Sequence, residues 1–365
     1  MATSYQSAGT SEEVPVDSFA TANFKMPGGA VPLNTATHSV LPVGVVIPTR
    51  NCVALLERHL DCLRELMPRV EQVVVVDSAS TDGTPELLHK QLRHPRIEFL
   101  QHPPGLYESW NFGVRQVRAR YTYIATAGDA ITPAGLRSLC AAAEDLEADV
   151  VISKPTFCDP EGAALPDEAW PVDDIISTLR LSKPYRLHKI EALLFALTSI
   201  SSALTGSCAS DLFRTEQLQR YPFSPSYGGA GDGAWGLENA LNVRWAAVPG
   251  RFSQFVRHPK AGSPGKHHGL DGERFEKLAR QVIEEGLRFG LITTHEVERF
   301  RFEELLDALS RYLRSKTEFD RQRRQSFPWI LWPSSWRARN HRNEAWDQLC
   351  RLRARALEQC RDAWH

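Results

Sequence analysis

Residues 73–86 read VVVVDSASTDGTPE. The four consecutive β-branched residues Val73 to Val76 suit a strand buried on both faces. Asp77 ends the apolar run and a polar loop follows. Thr84-Pro85-Glu86 then opens a helix, with Thr84 predicted as N-cap and Pro85 at the first helical position. The same unit recurs on either side. Upstream, Val43 to Ile47 (VGVVI) is a second buried strand, ended by Pro48. Leu55, Leu56, His59, Leu60, Leu63 and Leu66 then follow at helical spacing. Downstream, residues 97–100, 121–124 and 150–152 read as strands. A helix is predicted over 108–118, and another opens at Pro133 with Thr132 as its cap. Strands alternating with helices imply a parallel sheet with right-handed crossovers. Such sheets bind ligands beyond the carboxyl ends of their strands, which points to the loops after Ile47, Val76 and Ile124.

Around this core the composition changes twice. Residues 1–40 are Ser-, Thr-, Ala-, Gly- and Pro-rich without periodicity, and a disordered arm is expected. From about Gly269 the chain turns helical and charged, with one apolar stripe through Phe275, Leu278, Val282, Ile283 and Leu287. A second runs through Val297, Phe300, Leu305, Leu306, Leu309 and Leu313. The expected division is therefore 1–40, 41–268 and a helical region 269–365. The formal net charge of -1 gives no overall attraction to nucleic acid, and no nucleic-acid partner is expected. The seven cysteines contain no C-x-x-C pair, so reduced thiols are the simpler reading. The N-terminus lacks a secretory pattern, and a cytoplasmic location is expected. Leu193 to Leu204 is too short and too rich in Ser and Thr to span a bilayer, and reads as a buried helix.

Two polar loops carry candidate chemistry. Asp77 sits directly at the end of an apolar strand, where a carboxylate can accept from a base N–H or a ribose hydroxyl. The alternative is a turn stabilised by Asx-type bonds, which Asp82-Gly83 fits by itself. Asp129, in Ala127-Gly128-Asp129, lies after the fourth strand on the same edge. It can contact a hard divalent cation, or cap the next helix. Mg²⁺ takes one or two carboxylates plus substrate phosphates. The chain lacks G-x-G-x-x-G and G-x-x-x-x-G-K-[ST], which disfavours a nicotinamide dehydrogenase or a P-loop ATPase.

In sum, the segment from Val43 to about Asp129 resembles the family 2 glycosyltransferases of the GT-A fold. The family's I-P-T-x-N stands as Ile47-Pro48-Thr49-Arg50-Asn51, and its V-V-D-x-x-S-T-D-G-T as residues 75–84. One branch has G-[LI]-Y-D-A-M-N-K-G followed by L-N-S-G-D. Here Gly105 to Gly113 reads GLYESWNFG and Ala125 to Asp129 reads ATAGD. The resemblance implies a Rossmann-like α/β sheet whose nucleotide-sugar half is 41–153 and acceptor half 154–268. It implies that Pro48, Thr49, Arg50 and Asp77 meet the nucleotide, with Asn111 near the donor. Asp129 would meet Mg²⁺ or Mn²⁺ and the diphosphate. The common metal motif carries acids where Thr126 and Gly128 stand here, and Ser78 replaces a frequent second acid.

The family also needs a carboxylate that deprotonates the acceptor hydroxyl. Gly231-Asp232 fits that element, with Trp235 as an apolar wall for a sugar and Glu238 as the fallback. The alternative for Asp232 is a helix cap. The Arg257–His268 loop resembles an element that touches the diphosphate, with His258 as its candidate contact to metal or phosphate. Residues 321–342 hold six arginines, no acid and several aromatics, which suits peripheral contact with an anionic membrane face, or packing onto the main domain. The reading is an inverting glycosyltransferase that moves a sugar from a nucleotide diphosphate donor to a hydroxyl acceptor. That acceptor is a glycan, a lipid-linked glycan or a protein, in polysaccharide or glycoconjugate synthesis. The alternatives are a nucleotide-sugar-binding module without catalysis, and a nucleotidyltransferase, whose Arg- and Lys-bearing phosphate loop is missing after the first strand.

Overall fold

The computed structural model describes residues 39–200, 203–257, 270–325 and 333–364. Parallel strands β1 (Leu41–Thr49), β2 (Val70–Asp77), β3 (Ile97–Gln101) and β4 (Tyr121–Ile124) form one side of the sheet. Helices α1 (Val53–Leu66), α2 (Thr84–Gln91) and α3 (Leu106–Gln116) connect them. The short β5 (Ala130–Ile131), α4 (Pro133–Asp145) and β6 (Val150–Cys158) follow. The expected continuation of the parallel order stops at β4. The strand β8 (Asp211–Arg214) enters antiparallel between β4 and β6, and β9 (Trp245–Val256) then pairs parallel with β6. The two-residue strands β5 and β7 (Tyr185–Arg186) pair antiparallel with β9.

The Val run behaves as its composition requires. Val73 and Val75 enter the core on one sheet face, and Val74 and Val76 enter the core on the other. Val45 and Ile47 share the first core, and Val46 joins the second. Period-two alternation with both faces buried is what an uninterrupted β-branched run needs. Pro48 does not end β1: Pro48 and Thr49 still pair in register with Val76 and Asp77.

Helix ends follow local chemistry, with one revision. Thr132 caps α4, its side chain accepting from Gly135 N–H. Thr84 is instead the first residue of α2, and Gly83 is the cap position, at φ 87°. Asp82 accepts from Thr84 N–H at 3.0 Å, and the Thr84 hydroxyl accepts from Cys52 N–H at 3.0 Å.

The second face carries α5 (Pro171–Leu179), α6 (Lys189–Thr198), α7 (Thr215–Arg220) and α8 (Gly231–Glu238). From Ile190 to Thr198 every residue of α6 is buried, but the helix ends at Thr198, so the predicted buried helix over Leu193–Leu204 holds only for its first half. The C-terminal helices are α9 (Gly272–Arg288), α10 (Thr294–Arg299), α11 (Phe302–Gln325) and α12 (Pro333–Trp364). Phe275, Leu278, Val282 and Ile283 join the same core as Trp235 and Leu193, while Leu287 is left exposed. The second apolar stripe is divided between α10 and α11, because Arg301 adopts a left-handed conformation at φ 55°. The seven cysteines are free thiols. Among the described residues, no helix is long and apolar enough to cross a membrane.

Gly113 shows how closely α3 lies on the strands. A Cβ there would stand 2.6 Å from Val46 Cγ1 and 2.9 Å from Val76 Cγ2. Gly113→Ala is expected to cost about 1–3 kcal/mol, the usual range for overpacking. Urea denaturation measures this, and an unchanged midpoint would contradict the packing described.

Candidate active site

The β1 and β2 ends form the first part of the site. Thr49 and Asp77 are paired in register, and the Thr49 hydroxyl donates to Asp77 Oδ1 at 3.1 Å. Ser80 adds its hydroxyl to Oδ1 at 2.6 Å and its N–H to Oδ2 at 3.0 Å. Asn51 ties the two loops together: its N–H donates to Ser80 Oγ, and its Oδ1 accepts from Thr81 N–H at 2.8 Å. Asp77 thus organises its turn and still ends the strand at the sheet edge. Thr49 is buried, Pro48 half-buried and Arg50 exposed beside them.

Asp129 is the second part. It is 5% exposed, and both carboxylate oxygens are engaged. Oδ1 accepts from Val256 N–H at 2.9 Å, and Oδ2 accepts from the Thr126 hydroxyl. Its carbonyl accepts from His59 Nδ1–H at 2.7 Å, which places a proton on Nδ1. Burial lowers the His59 pKa to about 4. Burial also pushes Asp129 up to about 7, against the two hydrogen bonds, which favour its charge. Asp129 forms no ion pair among the described residues, so these two hydrogen bonds alone offset part of the cost of its ionised form. Thr132, rather than Asp129, caps α4.

Asp232 is the third part. It is the second residue of α8, past the cap position at Ala230, so the capping role is not the geometry observed. Its Oδ1 accepts from Gly233 N–H at 2.8 Å and from the Tyr107 hydroxyl at 3.1 Å. The same hydroxyl accepts from Asp232 N–H at 3.1 Å. Tyr107 lies in the first turn of α3, so one side chain joins two helix starts 125 residues apart in sequence. Asp232 is partly exposed, and burial raises its pKa.

Three expected contacts are placed elsewhere. The Asn111 amide is spent on the Phe223 backbone, donating to its O at 2.8 Å and accepting from its N–H at 3.0 Å. It is therefore a buckle between α3 and the segment before α8, not a donor contact. Trp235 is fully buried among Phe213, Phe223 and Trp245, and its indole N–H donates to Tyr221 O. No ring face is left for a sugar. Glu238 bonds Tyr227 and lines a separate hollow with Asn242 and Glu285, where burial raises its pKa to about 7. It does not join Asp232. His258 lies outside the described residues. Among those described, no three His, Cys, Asp or Glu side chains converge as metal ligands.

Residues 44–193 match the family model described as Glycosyl transferase family 2. Over this segment the chain is similar to family 2 glycosyltransferases. The match takes in β1 to α6 and hence Asp77 and Asp129. Among solved structures, S. aureus TarS 1-349 in complex with UDP-GlcNAc superposes with a TM-score of 0.51 at 16% identity, covering 85% of this chain and 81% of that one. A second TarS 1-349 structure gives 0.48 at 18% identity, covering 84% and 80%. The first likeness places the fold in the GT-A class. No curated protein sequence matches the chain.

Two residues beside Asp232 carried no separate signal in the sequence. Tyr107 sits inside the matched GLYESWNFG motif, yet its partner Asp232 is visible only in the fold. Asp211, at the start of β8, is fully buried, with Oδ2 unpartnered and Oδ1 at 3.3 Å from the Ser210 hydroxyl. Burial and the nearby Asp232 charge raise its pKa well above the ordinary range. Its only sequence signal is an acid opening a short apolar strand.

The folded state therefore favours protonated Asp211. The stability this confers is complete below the ordinary Asp range and is lost as pH rises toward the raised pKa. Asp211→Asn is expected to gain on the wild type from pH 5 to pH 8.5, by up to about 1.4 kcal/mol per pH unit. Thermal melts at both pH values test this, and a pH-independent difference would sink the assignment.

Proposed function

We propose that the protein is an inverting glycosyltransferase moving a sugar from a nucleotide diphosphate donor to a hydroxyl acceptor, in polysaccharide or glycoconjugate synthesis. The observation that carries this reading is Asp232: a partly exposed carboxylate, held by Tyr107, with a pKa raised by burial. A general base works best when its pKa approaches the working pH. The acceptor oxygen attacks the anomeric carbon as its proton passes to Asp232. The bond from that carbon to the diphosphate oxygen breaks on the opposite face, which inverts the centre. Asp77, with Thr49, Pro48 and Arg50 beside it, meets the nucleoside at the β1 and β2 ends.

Asp129 suits a divalent cation bound through one protein carboxylate. It is buried, keeps acceptor capacity beyond its two hydrogen bonds, and has no cationic partner among the described residues. Mg²⁺ or Mn²⁺ would neutralise charge on the leaving diphosphate. The UDP-GlcNAc bound by S. aureus TarS makes a UDP-sugar the first donor to test.

Asp129→Asn and Asp232→Asn separate the roles. Asp129→Asn is expected to weaken Mn²⁺-dependent donor binding in a thermal-shift titration. Asp232→Asn is expected to keep donor binding and lose at least 100-fold in transfer, within the usual contribution of about 10² to 10⁴ from acid–base catalysis. Full activity in both folded variants would remove the assignment, and donor binding without transfer or donor hydrolysis in the wild type would favour a binding module.

Peripheral membrane contact through 321–342 is supported by Trp336, which is 61% exposed. Residues 326–332 of that stretch lie outside the described ones. Sedimentation with anionic liposomes is expected to retain the full chain and lose a chain ending at Phe319. Equal pelleting would exclude this contact.

A further inference from the structure

A cavity of about 970 Å³ opens where α5 and the end of α6 meet α11 and α12. Trp170, Tyr312 and Trp346 give it three aromatic rings, and the last two lie with centroids 4.9 Å apart. Its volume falls at the upper end of ordinary ligand sites, about 300–1,000 Å³.

The charges in the wall narrow the ligand. Arg353 pairs with both oxygens of Asp174 and donates to the Thr198 hydroxyl at 2.9 Å. Lys316 pairs with Asp320 at 2.9 Å, and Arg321 pairs with Glu318 at 2.8 Å. Every lining cation among the described residues thus has an acidic partner. A phosphorylated or carboxylated ligand would call for cations free to pair with it. A purely apolar ligand would leave these polar groups facing it without gain. A neutral polyhydroxylated molecule suits both features. Its C–H faces lie on aromatic rings, and its hydroxyls use the spare donors and acceptors of the ion pairs.

The cavity also adjoins the reaction centre through one shared wall. The Trp170 ring packs on Phe157 and Phe255, with centroids 5.5 and 5.6 Å away. Phe255 precedes Val256, whose N–H holds Asp129. Elsewhere on the same indole, Gly206 approaches so closely that a Cβ would stand 2.6 Å from Trp170 Cε2. The neighbouring Thr205 hydroxyl donates to the Asp232 carbonyl at 3.3 Å. Trp170 therefore separates the cavity from the segments that position both proposed catalytic carboxylates.

We infer that this cavity holds a part of the acceptor remote from the reacting hydroxyl, which lies beyond Trp170, and that the acceptor is a neutral glycan, with α11 and α12 forming part of the cavity wall. The inference rests on the glycosyl-transfer reading above. It gives the C-terminal helices a binding role in addition to their packing role.

Isothermal titration of the full chain with cellotetraose, chitotetraose, maltotetraose and xylotetraose, in the presence of UDP and Mn²⁺, tests it. At least one of the four is expected to bind. Trp346→Ala is expected to weaken that binding at least ten-fold, and Thr317→Trp, which fills the cavity, to abolish it. Lys316→Ala, at a half-exposed position, is expected to weaken it several-fold without a risk to folding. Binding of UDP-GlcNAc, measured separately in each sample, is expected to be unchanged by all three substitutions. Binding of none of the four glycans, or equal binding by wild type and the folded variants, overturns the acceptor assignment. Loss of nucleotide-sugar binding in the wild type would instead count against the donor reading, so the two failures are distinct.

Discussion

The hydrogen bond from Val256 N–H to Asp129 Oδ1 is the constraint on which the site depends. It joins the loop after β4 to the last residue of β9, 127 positions later. Asp129 follows four strands whose order comes from parallel pairing, whereas β9 belongs to the side of the sheet beyond the antiparallel β8. A buried carboxylate demands such donors, because burial without them would cost several kcal/mol. Thr126 supplies the second donor and His59 holds the backbone from behind. The position of the Asp129 carboxylate, proposed above to meet a cation, is thus fixed by its bond to β9.

A comparable linkage holds the proposed base. Tyr107 both donates to the Asp232 carboxylate and accepts from its N–H, so α3 and α8 orient each other. Asn111, one turn further along α3, buckles the same helix to the Phe223 backbone. Below them, Phe213, Phe223, Trp235 and Trp245 form a packed aromatic group that the C-terminal helices extend. Side chains that resembled ligand contacts, Asn111 and Trp235, are therefore the supports of those that can reach a ligand.

Much of the parallel side of the sheet was legible because its signals are local. A β-branched run, an acid at its end, a turn and a helix start lie within about a dozen residues, and their spacing survives folding. The capping of α4 by Thr132 was legible for the same reason. The Thr84 cap failed because its hydroxyl instead meets Cys52 N–H, 32 residues away. The division of the second C-terminal stripe was hidden because one left-handed residue, Arg301, breaks a pattern that apolar spacing alone continues.

By itself the sequence determined the order of the first four strands and the helices between them, the burial of the Val runs on both faces, and the placement of Asp77 and Asp129 after their strands. Periodicity and turn chemistry act over a few residues and need no partner. Only the tertiary structure decided that β8 enters antiparallel, that Asp232 answers to Tyr107, and that Asp211 is a buried acid beside it. It also turned Trp235 inward and brought Trp170 between the segments that hold Asp129 and Asp232 and a cavity walled by α11 and α12. Those outcomes depend on contacts between residues far apart in the chain. No local pattern encodes them, because the energy that selects them exists only when both partners are desolvated together.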